Sequence, residues 1–118
     1  MDHTLYHYKA KVVSVYDGDT CRVDIDLGLN VWVKNEPIRL YRIDAPEIRG
    51  DEREKGLLAR DFLRQLILGK EIFLQTIKDK KGKYGRYLGE IWLRVDGEYK
   101  NINDLMVEKG HAVYKNFD

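Results

Sequence analysis

Cysteine is nearly absent from this chain. Cys21 stands alone, which excludes an internal disulfide and any thiolate-rich metal site. Its position in an apolar stretch reads as a small core residue. Histidine is scarce too: His3, His7 and His111 are scattered without metal-ligand spacing, and none is assigned a catalytic role. His111 reads as the end of a last helix, stacking locally. No apolar run approaches the roughly 20 residues of a membrane span. Met1-Asp2-His3-Thr4 has neither the basic start nor the apolar stretch of a secretory signal, so the expectation is a cytoplasmic protein with no membrane partner. There is also no repeat, no low-complexity tract and no candidate linker, which leaves 118 residues to one domain spanning 1–118, with residues 1–8 as an N-terminal extension.

Excess charge of either sign is lacking as well. The net charge is +1, yet five basic residues and one acidic residue, Asp79, lie between Lys78 and Arg86. A near-neutral protein with one basic loop binds polyanions locally instead of coating a duplex. A hydrophobic share of 43% suffices for a core, and 35% charged residues favour solubility.

What is present is a run of strand signals. Lys9 to Tyr16 is valine-rich and ends at an Asp-Gly turn. Thr20 to Leu27 alternates, with Cys21, Val23, Ile25 and Leu27 on one face. A strand is predicted around Val31-Trp32-Val33, a break at Asn35-Glu36-Pro37, and a further strand from Ile38 to Ile43. From Arg53 to Leu68 the period becomes helical, with rows Leu58/Phe62/Leu66 and Ala59/Leu63/Ile67 before a stop at Gly69. Strands follow over Ile72–Ile77 and Arg86–Val95, then a hairpin through Asp96-Gly97. Asn101 is placed to cap a short helix with Ile102, Leu105 and Met106 inward, ended by Gly110. Short strands with one helix between them predict a β-barrel with helices, α+β by content, and the OB-fold is such a barrel.

Five ionic side chains, Asp19, Arg39, Asp44, Glu47 and Arg86, sit at the turns and strand ends of this pattern. Asp17-Gly18-Asp19-Thr20 alone is an ordinary hairpin turn. Asp44-Ala45-Pro46-Glu47 adds two carboxylates on a stiff connection, because Pro46 fixes its own backbone and extends Ala45. Glu47 also suits a helix N-terminus. Hard oxygen donors without nearby histidine or cysteine favour calcium or magnesium over zinc. Arg39 offers a fork to a phosphate, or a structural partner to the carboxylates. It differs in parity from Asp44, so a bend or bulge must bring the two together. Lys83-Tyr84-Gly85-Arg86 reads as a solvated basic turn, or as a phosphate-binding turn with an aromatic.

In this order, DGDT, the IRLYRIDAPE stretch, GKYGR and the terminal segment from Asn101 through Leu105-Met106-Val107-Glu108-Lys109-Gly110-His111-Ala112 resemble the staphylococcal nuclease family, from about Lys9 to about Tyr114. The resemblance implies a five-stranded OB-fold barrel with one main helix and a short C-terminal helix. It implies calcium-dependent hydrolysis of DNA and RNA, single-stranded or locally melted, to 3′-phosphate products. It makes Asp19, Asp44 and the Ala45 carbonyl ligands of one calcium ion, and Glu47 the general base. Arg39 and Arg86 become the clamp on the scissile phosphate, with Arg86 also assisting departure of the 5′-oxygen. Lys83 and Tyr84 would contact a neighbouring phosphate, and Tyr114 would stack on a base. A monomer is assumed. The alternative is a catalytically inactive nucleic-acid or protein-binding module on the same barrel. The family's best-known member continues into a third helix where this sequence stops at Asp118, which predicts compensating packing by Met1–Tyr8 or a partner surface. The stretch with Arg49, Gly50 and Arg53 also differs, which bears on substrate preference.

Overall fold

The computed structural model describes residues 6–81 and 85–116, with side chains for 6–77 and 85–116. Ten main elements follow one another: β1 (His7–Asp17), β2 (Thr20–Asp26), β3 (Trp32–Leu40), β4 (Ile43–Asp44), α1 (Arg53–Ile67), β5 (Glu71–Lys81), β6 (Tyr87–Val95), β7 (Glu98–Asn101), α2 (Ile102–Glu108) and β8 (Val113–Tyr114). Five strands close into a mixed barrel. Hydrogen-bonded neighbours run β3-β2-β1-β5-β6, and a parallel pairing of β3 with β6 joins the ends, setting Ile38 beside Tyr87 and Arg39 beside Leu88. β7 extends β6 as a hairpin, and β4 pairs with β8 in a separate ladder. This is the expected five-stranded OB-type barrel with two helices.

Local chemistry accounts for most element ends. Asp96 and Gly97 both have positive φ, 52° and 82°, the conformation of a tight hairpin turn that matches strand twist. The Asn101 side chain accepts from Asp104 N at 2.9 Å and caps α2 as expected. α1 stops at Gly69, φ 75°, whose N–H then reaches Val12 O at 2.9 Å and fastens the helix end to β1.

Four expectations need correction. Strand β1 begins at His7 and not Lys9, because the longer β5 supplies partners as far as Gln75; residues 7 and 8 belong to the barrel. The expected break at Asn35-Glu36-Pro37 is a bulge within one continuous strand, β3. Asn35 has φ 56°, and β2 satisfies its backbone: Asp24 Oδ1 accepts from Asn35 N at 2.8 Å, and Arg22 Nη1 donates to Asn35 O at 2.9 Å. Leu27, expected inward, lies beyond the end of β2 and is 47% exposed. The two apolar rows of α1 are not equivalent. Gly56, Ala59, Leu63 and Ile67 are buried, Phe62 and Leu66 are half-buried on its flank, and Leu58 points to solvent.

The core is apolar and fully covered, with Val12, Val23, Ile38, Leu40, Leu74 and Ile91 from the barrel against Leu63 and Ile67 of α1. His111 stacks on Phe62, ring centroids 4.6 Å apart. Cys21 is wholly enclosed in this core, and burial, helped by the charge of Asp17, pushes its thiol up to about 12. A thiol so protonated is a poor nucleophile. Native protein at pH 8 should therefore resist iodoacetamide and be alkylated once only in guanidinium, as mass spectrometry would report. Modification of native protein at the rate of a free thiol would contradict this burial.

Candidate active site

The site begins with a turn that admits no side chain. A Cβ on Gly18 would lie 2.7 Å from the Cβ atoms of both Ala45 and Ala59, so only glycine lets the turn sit between the Asp44–Glu47 segment and α1. Asp17 Oδ1 accepts from Asp19 N at 3.0 Å and sets the turn. The Asp19 carboxylate is then held at both oxygens. Oδ1 accepts from the Thr20 hydroxyl at 3.1 Å, and Oδ2 accepts from Ala45 N at 2.7 Å.

Arg39 lies on β3 directly opposite Thr20 of β2, with its side chain only 12% exposed. Nη1 donates to Leu40 O at 2.9 Å and Ile43 O at 3.0 Å. Nη2 lies 3.1 Å from Asp44 Oδ1 and 3.3 Å from Asp19 Oδ2. The parity conflict between Arg39 and Asp44 is resolved by a turn at Tyr41 and Arg42. Arg42 adopts φ 69°, a conformation costing a side-chain-bearing residue about 1 kcal/mol. Its guanidinium is secured by Glu90, with Nη2 to Oε1 at 2.8 Å, and by Asp104 at 3.0 Å. Asn101 Nδ2 donates to the same Glu90 oxygen at 3.0 Å. Buried Asn103 adds a second brace: Oδ1 accepts from Ile91 N at 3.1 Å, and Nδ2 donates to Tyr41 O at 2.9 Å and Gly89 O at 3.0 Å. The cap of α2 and the core of β6 thus hold the bend on which Asp44 depends.

Arg86 precedes β6 and donates through Nη1 to the Thr20 hydroxyl at 3.3 Å. That hydroxyl also donates to Asp19, so the two arginines are linked through Thr20 and Asp19. Glu47 is exposed, but its backbone is fixed by α1. A Cβ on Gly56 would collide with the Glu47 carbonyl and come within 2.9 Å of Ile48 N. The close approach of helix and loop therefore requires glycine at 56.

Asp19, Arg39, Asp44, Ala45, Glu47 and Arg86 line one pocket of about 690 Å³. Four further charged or aromatic residues line it without having been assigned a site role from the sequence: Tyr16, Asp17, Arg49 and Lys115. Asp17 was visible in the DGDT turn. Arg49 donates to the Tyr16 hydroxyl at 2.7 Å, and Lys115 N donates to Arg42 O at 2.8 Å, pairings without a local pattern. Lys83 and Tyr84 lie outside the described residues. Tyr114 is not brought to the pocket: it sits on β8 opposite Ile43, donates to Asp104 Oδ1 at 2.9 Å, and faces Arg42.

Could these residues hold a metal? Among the described residues no cluster of three or more histidine, cysteine, aspartate or glutamate side chains is arranged around a single point. Asp19 and Asp44, however, converge on one cationic nitrogen, Arg39 Nη2, and the donors are all oxygen. Two carboxylates and a carbonyl suit a hard divalent cation whose remaining positions go to water and substrate.

Burial pushes the Asp19 carboxyl up to about 6 from 3.8; the Arg39 charge opposes this and Asp17 adds to it. The folded chain therefore binds this proton more tightly than the unfolded chain. The associated stability is complete below about 4 and lost as pH rises through about 6. In chelator, Asp19→Asn should gain stability over wild type across that window, on the order of 2 kcal/mol at neutral pH. Urea melts at acidic and neutral pH would check it; a gap that shrinks with rising pH would contradict it.

A five-stranded OB barrel with acids and arginines gathered where its strands end is the fold class defined here. The chain belongs to the staphylococcal nuclease family: the family model for staphylococcal nuclease homologues matches residues 37–118. It is 30% identical over 121 residues to an uncharacterized protein of Methanocaldococcus jannaschii, covering 90% of this chain and 58% of that one. It is 33% identical over 86 residues to a thermonuclease of Staphylococcus hyicus, and 31% identical over 85 residues to one of Staphylococcus intermedius. Each of these alignments covers 70% of this chain and 47% of the relative. The chain thus spans about half the length of the relatives it matches. Asp17 to Thr20 precede the family match, yet the fold packs them against residues within it.

Proposed function

We propose that this chain is a calcium-dependent phosphodiesterase that hydrolyses DNA and RNA, single-stranded or locally melted, leaving a 3′-phosphate. The observation that supports this reading best is the convergence of Asp19, Asp44, Glu47, Arg39 and Arg86 on a single pocket. Asp19, Asp44 and the Ala45 carbonyl would hold the ion, which when bound supplies a template and Lewis acid for a phosphoryl oxygen. Glu47, exposed on a rigid backbone, takes the proton from the attacking water. Arg39, held by two carbonyls and two carboxylates, is oriented before substrate arrives, so little reorganisation is needed as charge builds on the phosphorus oxygens. Arg86, which lines the same pocket, assists the departing 5′-oxygen.

Incubation of heat-denatured DNA with calcium tests the proposal, against excess chelator and against Glu47→Gln. Loss of cleavage in chelator, and a fall of about a hundredfold or more in the variant, are expected. Cleavage that survives either would sink the mechanism. Binding with no cleavage by the wild-type chain would favour a nucleic-acid-binding module.

A further inference from the structure

A second pocket adjoins the first and differs sharply in charge. The candidate active pocket is balanced, its four carboxylates (Asp17, Asp19, Asp44, Glu47) facing Arg39, Arg49, Arg86 and Lys115. The neighbouring pocket, about 610 Å³, is lined by Arg22, Arg60, Arg64 and Arg86, with no aspartate or glutamate among the described residues that line it. Tyr16, Ile48 and Arg86 line both, so the two pockets share a wall. Val15, Cys21 and Pro37 also line the second.

The arginines reach this pocket from three separate elements. Arg22 comes from β2 and is steadied by Asn35 O. Arg60 and Arg64 stand one turn apart on α1. Arg64 is oriented by two hydrogen bonds to Val15 O, at 3.3 and 3.2 Å, and Asp61 lies 3.1 Å from Arg60 and 4.0 Å from Arg64. Arg22 and Arg64, fixed by neutral carbonyls, keep their charge for an incoming ligand, while Arg60 shares its charge with Asp61; the planar guanidinium matches a phosphate. A linear polyanion whose reacting phosphate is held by Arg39 and Arg86 must leave the first pocket somewhere. Arg86, common to both pockets, leads from the first toward a neighbour whose charge is opposite to that of the polyanion.

We propose that the Arg22/Arg60/Arg64 pocket is a subsite for the backbone phosphate next to the one cleaved, and that it gives the protein a preference for polynucleotides over short fragments. This rests on the nuclease reading for the identity of the first pocket, but it is a statement about binding and is tested apart from cleavage.

Fluorescence anisotropy of a labelled single-stranded dodecanucleotide in excess chelator would measure it. For Arg22→Gln/Arg60→Gln, binding should weaken about tenfold, and the slope of log K against log salt should flatten by about 0.7 for each phosphate no longer neutralised. Arg60→Gln alone, whose guanidinium pairs with Asp61 on its own helix, should show roughly a third of the effect on the logarithmic scale. Arg94→Gln, a remote control on β6 beside Tyr99, should bind as wild type does. A labelled dinucleotide, too short to fill both pockets, should lose less than about twofold in the double variant. Unchanged dodecanucleotide affinity in the double variant, or an equal loss in Arg94→Gln, overturns the subsite. Arginine-dependent binding by a chain that cuts nothing with calcium would overturn the nuclease reading and leave the subsite standing.

Discussion

Arg39→Lys should lower kcat on heat-denatured DNA by about a hundredfold or more, measured from initial rates at saturating substrate and calcium. Arg39 serves four acceptors at once: the carbonyls of Leu40 and Ile43, and the carboxylates of Asp44 and Asp19. Lysine keeps the charge but has no planar fork, so it cannot hold the two carbonyls and face the carboxylates together. Removing an oriented donor from a phosphoryl site typically costs about 10²–10³ in rate. Because the charge is retained, the substitution isolates geometry from simple attraction. A variant within about threefold of wild type would refute the idea that orientation at Arg39 carries catalysis.

Asn103→Ala should destabilise the protein by about 3–5 kcal/mol, read as a lower urea midpoint at unchanged slope. The Asn103 amide is fully buried and ties three backbone groups, Ile91 N, Tyr41 O and Gly89 O, from β6 and the bend after β3. Alanine leaves all three without that partner and opens a cavity beside them. The same change should reduce activity in the surviving folded fraction, because Tyr41 adjoins the turn that places Asp44. A loss below about 1 kcal/mol would show that water replaces the amide without penalty.

These two residues differ in how much of their role could be read along the chain. Arg39 stood out because a charge in an apolar strand demands a partner. Asn103 sits two residues from the evident cap at Asn101 and reads as one more polar position in a short helix. Its function depends on β6 passing overhead, which no local pattern encodes. The same holds for Arg42, whose partners Glu90 and Asp104 are distant in sequence and meet only on closure of the barrel.

Alternation in β2, the Asp96-Gly97 hairpin and the stop at Gly69 were legible because each is a short-range preference. The continuity of β3 was not, since Asn35-Glu36-Pro37 has the composition of a break. Side chains of the neighbouring strand, Arg22 and Asp24, make it a bulge. Leu58 and Ala59 look alike in a helical period, but Ala59 faces the core while Leu58, unlike Phe62 and Leu66 of its own row, is left to solvent. At the site, the identities of the acids and arginines were visible, whereas Tyr16 and Lys115 became members only through the meeting of separate elements. Tyr114 carries the chemistry expected of a stacking residue and is instead engaged with Asp104 and Arg42.

The parallel seam between β3 and β6 has a consequence for the life of the chain before it is folded. Arg39 lies on one side of that seam, and Arg86 enters it one residue before Tyr87, the partner of Ile38. Pairings between such distant segments are costly in loop entropy and slow to form. On a ribosome the first arginine emerges well before the second, and the two are not brought together until β6 has been made and docked. On the proposed nuclease reading, an emerging chain carries the parts of the site separately, and the closing of the barrel is what assembles them.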